Sequence, residues 1–124
     1  MRLSTPTVRH GLLGWLLQRI SGIFLLFFLG AHLWALHIAA AGTEINWSTV
    51  LQHLNTPFFK FLDASLLALV LYHGLYGLRG IVFDFITGHL SRTVITWAFL
   101  LLGLVAFSVG FITLLAFLAL GIVP

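Results

Sequence analysis

An all-α integral membrane protein with three transmembrane helices is what this sequence predicts, and three observations predict it. Of its 124 residues, 60% are hydrophobic and 7% are charged. Three apolar runs each reach the roughly 20 residues that a helix rising about 1.5 Å per residue needs to cross a bilayer. No run alternates with a period of two, which argues against a β-barrel. A soluble domain covers itself with about a quarter charged side chains. Six basic and three acidic residues cannot do that here, so the solvent that suits this chain is lipid. Residues 1–124 are read as one domain.

The elements follow in order. Residues 1–14 are mixed in character, and the apolar run after them is too long for a signal-peptide core and has no small-residue cleavage site behind it. The first span, about 15–40, is therefore expected to stay in the mature protein. The linker AGTEINWSTVLQHLN has the Gly, Asn, Ser and Thr of an interfacial loop. Pro57 suits the first turn of the second span, about 57–86. TGHLSR reads as a tight turn before a third span at about 94–122. In that span Gly103, Ala106 and Gly110 form a small-residue stripe, read here as a surface for close helix packing. Trp15, Trp47 and Trp97 fall near span ends, where interfacial aromatics sit.

Charge sets the orientation. Three spans put Arg2, Arg9, Arg19, Arg79 and Arg92 on one side and Lys60 alone on the other. The N-terminus is thereby expected in the cytoplasm and the C-terminus outside. A net charge of +3, dispersed and without a basic run, does not describe a nucleic-acid binder. The absence of cysteine excludes disulfides, thiolate nucleophiles and iron–sulfur ligation by this chain.

Six histidines remain. His10, His53 and His89 fall in flanks or loops, where a surface role is the default. His32, His37 and His73 fall inside spans. An imidazole in lipid is costly unless its nitrogens are paired, so each is either a functional group or half of a helix–helix hydrogen bond. For His37, near the outer end, the hydrogen bond is the simpler account. For His73 the helical period places Gly77, Gly80 and Asp84 on the same face. Two glycines beside a histidine open a flat strip that a porphyrin plane would need if the imidazole is to reach its iron. Arg79 lies about 9 Å further along the helix, near where a propionate would want a cation. His32 repeats the logic more weakly. Counted from Arg19 and from Asp84, His32 and His73 are expected at similar depth, which fits one metal centre or two. Arg19, Arg79 and Asp84 are expected to gather at the cytoplasmic face. With Ser21 beside them they could hydrogen-bond a quinone carbonyl and relay protons to it. The simpler reading of Arg19 alone is a side chain reaching lipid phosphate.

QRISGIFL in the first span, followed by YHGLYGLRGIVFDF in the second, resembles the cytochrome b membrane-anchor subunits of succinate:quinone oxidoreductases and fumarate reductases. Those carry R-x-S-G opening the first span and H-x3-G-x-R-x4-D closing the second. The matching residues are Arg19, Ser21 and Gly22, then His73, Gly77, Arg79 and Asp84. The resemblance covers about residues 12–122 and both motifs together are specific to the family. It implies that His73 is an axial ligand of haem b, opposite a histidine from a second anchor subunit. It implies that Arg19, Ser21 and Asp84 lie near a pocket for ubiquinone or menaquinone, facing the iron–sulfur subunit. Some members hold two haems and use a first-helix histidine for the second, and His32 occupies that place.

Two residues depart from the pattern. Phe85 stands where some anchors have a quinone-touching tyrosine, and Trp15 where some have a serine, which leaves the partner as a source of the donor. The reading that follows is a subunit of succinate dehydrogenase, respiratory complex II, that is not catalytic alone. It would sit in the inner (cytoplasmic) membrane of a prokaryote beside the second anchor, the iron–sulfur subunit and the flavoprotein. Both anchor subunits carry such motifs, so either the large or the small one fits. A haem-free anchor that only docks soluble subunits, and the equivalent anchor of a fumarate reductase, are the alternatives. A transporter subunit would want broken helices or paired intramembrane charges, and the sequence makes neither evident.

Overall fold

A computed structural model describes residues 7–39, 42, 44 and 46–119. Helix α1 runs Thr7–Leu33 and passes directly into a π-helical turn, Trp34–Ala39. A short helix α2, Trp47–Asn55, precedes the two long helices α3, Pro57–Phe85, and α4, His89–Ala119. No strand occurs among the described residues. Three stretches are long and apolar enough to cross a membrane: Gly11–Ile38, Pro57–Phe85 and His89–Ala116. The all-α, three-span expectation holds. The outer limit of the first span at residue 40 and the end of the third at 120–122 lie outside the described residues.

The long helices form because a backbone in hydrocarbon has no water to bond, so each N–H must find a carbonyl within its own segment. Their apolar residues run around the whole circumference rather than along one stripe. Among the described residues only Ala35, Leu62 and Ser21 are buried. That leaves large residues such as Leu26, Phe27, Phe61 and Val109 facing outward, which suits lipid or other chains.

The two connections differ from expectation. From Trp47 on, the linker is helical rather than an open loop. Asn46 caps α2 by accepting from Thr49 N–H at 3.0 Å while Thr49 Oγ1 accepts from Asn46 N–H at 3.1 Å. This reciprocal pair is what turns an Asn-x-x-Thr stretch into a helix start. His53 therefore leaves the surface: it lies half-buried on α2 with its ring 3.6 Å, centroid to centroid, from Phe59. Thr56 and Pro57 then turn the chain, the proline standing at the first position of α3, where its missing N–H costs nothing.

The second connection is shorter than TGHLSR suggested. Helix α4 starts at His89, not near Val94, so only residues 86–88 are non-helical. Arg92 tightens this corner by donating to Ile86 O at 2.6 Å and Phe83 O at 2.8 Å. A cation on the last carbonyls of α3 satisfies groups that the helix itself cannot.

Helix α3 is the centre of the bundle. It packs against α1 on one side and α4 on the other, while α2 touches α3 and α4. Gly103 and Gly110 of α4 receive Leu75 and Leu67 of α3; a Cβ at either glycine would stand 2.9 and 2.8 Å from those leucine methyls. The small-residue stripe is a packing surface, as its spacing predicted.

Candidate functional site

The register of α1 on α3 decides what the polar side chains meet. The helices are antiparallel, and four contacts fix their alignment. His32 faces Asp63, Ser21 and Gly22 face His73, and Gln18 faces Gly77. At the next turn a Cβ on Gly14 would overlap the Tyr76 hydroxyl, so that glycine makes room for the phenol.

His73 is half-buried and gripped from α1. Its Nδ1 is 3.1 Å from Ser21 Oγ, and its Cε1 would stand 3.1 Å from a Cβ on Gly22. Its carbonyl oxygen accepts from Gln18 Nε2 at 3.1 Å. No described residue hydrogen-bonds Nε2. A ring held at one nitrogen with the other free is the arrangement that metal-ligating histidines adopt.

The expected similar depth of the two histidines does not hold. His73 lies at the level of Ser21, and His32 is eleven residues further along α1, about 16 Å by helix rise. Counting inward from Arg19 and Asp84 failed because those two residues are not level. In the observed register Asp84 falls opposite Gly11, and Arg19 opposite Tyr76. His32 itself contacts Asp63, Nδ1 to Oδ1 at 2.9 Å, with about a quarter and a fifth of the two side chains exposed. Asp63 Oδ1 has no well-directed hydrogen bond, so this is a close acid–imidazole contact. Asp63 was missed by sequence reasoning; an acid inside an apolar span was the signal that could have found it. A pair of ionisable side chains therefore lies within the apolar spans, which sequence reading had not made evident.

The expected cluster of Arg19, Arg79 and Asp84 does not form. Arg79 is six residues past His73, which at about 100° per residue turns it about 120° away, toward α4. There its Nε donates to Thr96 Oγ1 at 3.0 Å and its guanidinium lies 4.4 Å over Phe83. Asp84 is exposed and forms no ion pair with Arg92, whose donors go to backbone carbonyls. His37 is exposed within the π-helical turn and His89 is exposed at the start of α4.

Arg19 remains in place. It is exposed, stacked 4.1 Å over Trp15, on a groove of about 440 Å³ between α1 and α3. Gln18, Tyr76, Gly77 and Gly80 line the same groove, one turn from His73. Ser21 and Asp84 do not. Neither Gln18 nor Tyr76 was singled out from sequence, yet both add polar groups to the groove, which Phe85 cannot. A larger cleft of about 560 Å³ between α3 and α4 is almost wholly apolar, with Arg79 and Thr96 at one end and no histidine. Its lining suits hydrocarbon better than a redox group. Among the described residues no three His, Cys, Asp or Glu side chains meet, so iron on His73 would need its other donors from a porphyrin or another chain.

Fold and site together define a class: a three-span, all-α membrane protein with an imidazole held between its first two long helices. The family model for the succinate dehydrogenase/fumarate reductase transmembrane subunit matches residues 2–116, and the chain belongs to that family. It is similar to a succinate dehydrogenase hydrophobic membrane anchor subunit of Thermoplasma acidophilum, 35% identical over 80 residues, covering 64% of this chain and 65% of that protein. A protein of the same description from Archaeoglobus fulgidus is 31% identical over 98 residues, 79% of this chain and 83% of the relative. Succinate dehydrogenase 2 membrane subunit SdhC of Mycobacterium tuberculosis is 35% identical over 78 residues, 60% of this chain and 54% of that protein.

Proposed function

We propose that this chain is a haem b-binding anchor of a succinate:quinone oxidoreductase and forms part of the site where quinone is reduced. The observation that carries the reading is His73, held through Nδ1 in a membrane-spanning helix with Nε2 free. That nitrogen would hold the haem iron, and a further protein donor would have to come from another chain, since no second histidine of this chain lies at the level of His73 among the described residues. The haem, when bound, would supply a one-electron centre; this chain contributes the imidazole and its orientation, while the expected glycine strip is not free for it, Gly77 being covered by Gln18 and Gly80 lining the Arg19 groove. Arg79, turned to α4, is left out of this set.

The quinone is substrate. The groove beside Arg19 suits it: Trp15 and Ile81 offer apolar surface, and Arg19, Gln18 and Tyr76 offer donors. A guanidinium strengthens its bond to a quinone oxygen as that oxygen becomes negative on reduction, so Arg19 favours the reduced states. Electrons arrive from succinate, oxidised on a flavoprotein and passed through an iron–sulfur subunit. Relatives named as membrane anchor subunits of succinate dehydrogenase support other subunits of such an enzyme as partners. The positive-inside pattern supports a cytoplasmic face for the Arg19 end.

A reduced-minus-oxidised spectrum of the purified complex, with haem counted per complex, tests the proposal. The expected result is a sharp α band and one haem fewer in His73→Ala. Full haem content and an unshifted midpoint potential in that variant would remove His73 as a ligand. A spectrum without an α band in the unmutated complex would leave a haem-free docking anchor.

A further inference from the structure

The hydroxyl of Ser21 has one proton and two close neighbours. Its Oγ is 2.9 Å from Gln18 O, one turn back on α1, and 3.1 Å from His73 Nδ1 on α3. Ser21 is 6% exposed, the one buried polar side chain among the described residues. A carbonyl oxygen can only accept, so the Gln18 contact uses the hydroxyl proton. The His73 contact is then a hydrogen bond only if Nδ1 carries the ring proton and Ser21 accepts it. The opposite assignment, with the hydroxyl donating to Nδ1, forfeits the Gln18 bond. It also moves the ring proton to Nε2, where no described residue accepts it. The first arrangement makes two hydrogen bonds and the second makes one.

We infer that Ser21 is a positioning residue for His73: by accepting from Nδ1–H it fixes the tautomer and rotation that present the Nε2 lone pair to iron. This rests on the haem reading proposed above and changes the role expected for Ser21 from quinone contact to support of the axial ligand. The neighbouring Gly22 completes the grip, since its missing Cβ is what lets the ring lie against α1. Two adjacent residues of the R-x-S-G stretch thus hold one ring from the next long helix. Serine is a mediocre helix former, and here its hydroxyl donates one hydrogen bond and accepts another.

An imidazole whose Nδ1–H is accepted by an oxygen is the more basic ligand and favours ferric iron. In the assembled complex, Ser21→Ala is expected to keep its haem while the midpoint potential of the His73-dependent haem rises. Ser21→Thr, which restores the hydroxyl, is expected to return the potential to that of the unmutated complex. A potential and α band unchanged in Ser21→Ala, with haem still lost in His73→Ala, would overturn the inference and leave the haem reading intact. Haem retained in His73→Ala would instead overturn the haem reading on which the inference depends. Should the alanine variant fail to assemble, Ser21→Thr against Ser21→Val decides, because the two have the same shape and differ in the hydroxyl. Equal potentials in that pair, or loss of the whole complex in the valine variant alone, would mark Ser21 as structural. A higher potential or selective haem loss in Ser21→Val, with the soluble subunits still attached, supports the positioning role.

Discussion

At His32 and Asp63 two ionisable side chains meet between α1 and α3 in the apolar part of the chain. Removing one partner of such a pair strands the other, and partial exposure moderates the penalty to about 2 kcal/mol. Asp63→Leu should therefore lower the melting temperature of the detergent-solubilised complex. Adding His32→Phe should recover part of that loss in a double-mutant cycle. If the complex holds two haems, His32→Ala should remove a different haem from the one lost with His73→Ala, as haem counting and difference spectra would register. One haem in the unmutated complex would reduce His32–Asp63 to a helix–helix contact. Arg19 is testable apart from assembly. A charge-assisted hydrogen bond to a developing oxyanion is worth about 1.5–3 kcal/mol, and 1.4 kcal/mol is tenfold in rate. Arg19→Leu should depress quinone reduction at least about tenfold while dye-linked succinate oxidation and haem content stay near normal. Parallel loss of both activities would return Arg19 to lipid phosphate.

Among the elements, α3 depends on its neighbours at both ends of its length. Arg92 carries two bonds to its last carbonyls. Arg92→Ala should cost about 1 kcal/mol, the usual worth of a cation at a helix C-terminus, seen as a lower melting midpoint. The α3–α4 seam is tighter. Gly110→Leu would drive a side chain into Leu67, where a Cβ alone already meets Cδ2 at 2.8 Å. Overpacking of this kind costs about 1–3 kcal/mol, and the variant should assemble poorly while Leu104→Ala, on the apolar cleft, is milder.

The whole molecule is an open row, α1–α3–α4, with α1 and α4 out of contact among the described residues. So much outward apolar surface cannot be stable as a lone body in water, and its stability belongs to lipid and partners together. Its orientation is checkable because the chain has no cysteine of its own. A cysteine placed at Ser48, on α2, should react with an impermeant maleimide added outside intact cells, whereas one at Ser91 should react only after the membrane is opened. The reverse pattern would invert the topology and move the Arg19 groove to the wrong face.

The sequence by itself determined the helical class, the number of spans, the packing stripe at Gly103 and Gly110, and the place of His73 inside the second span. Those properties are local: a run of apolar residues is long enough for a bilayer or it is not, and a small-residue spacing is visible within one helix. Even Arg79's turn toward α4 was latent in the helical period, which sets its angle from His73. What α1 and α3 hold between them was not local. Ser21 against His73, His32 against Asp63 and the offset of Arg19 from Asp84 all follow from the register of two antiparallel helices. Register is fixed only when Gly14 admits Tyr76 and Gly22 admits the His73 ring, contacts between residues about 50–60 positions apart. Neither helix encodes that alignment alone, so only the tertiary structure could decide it.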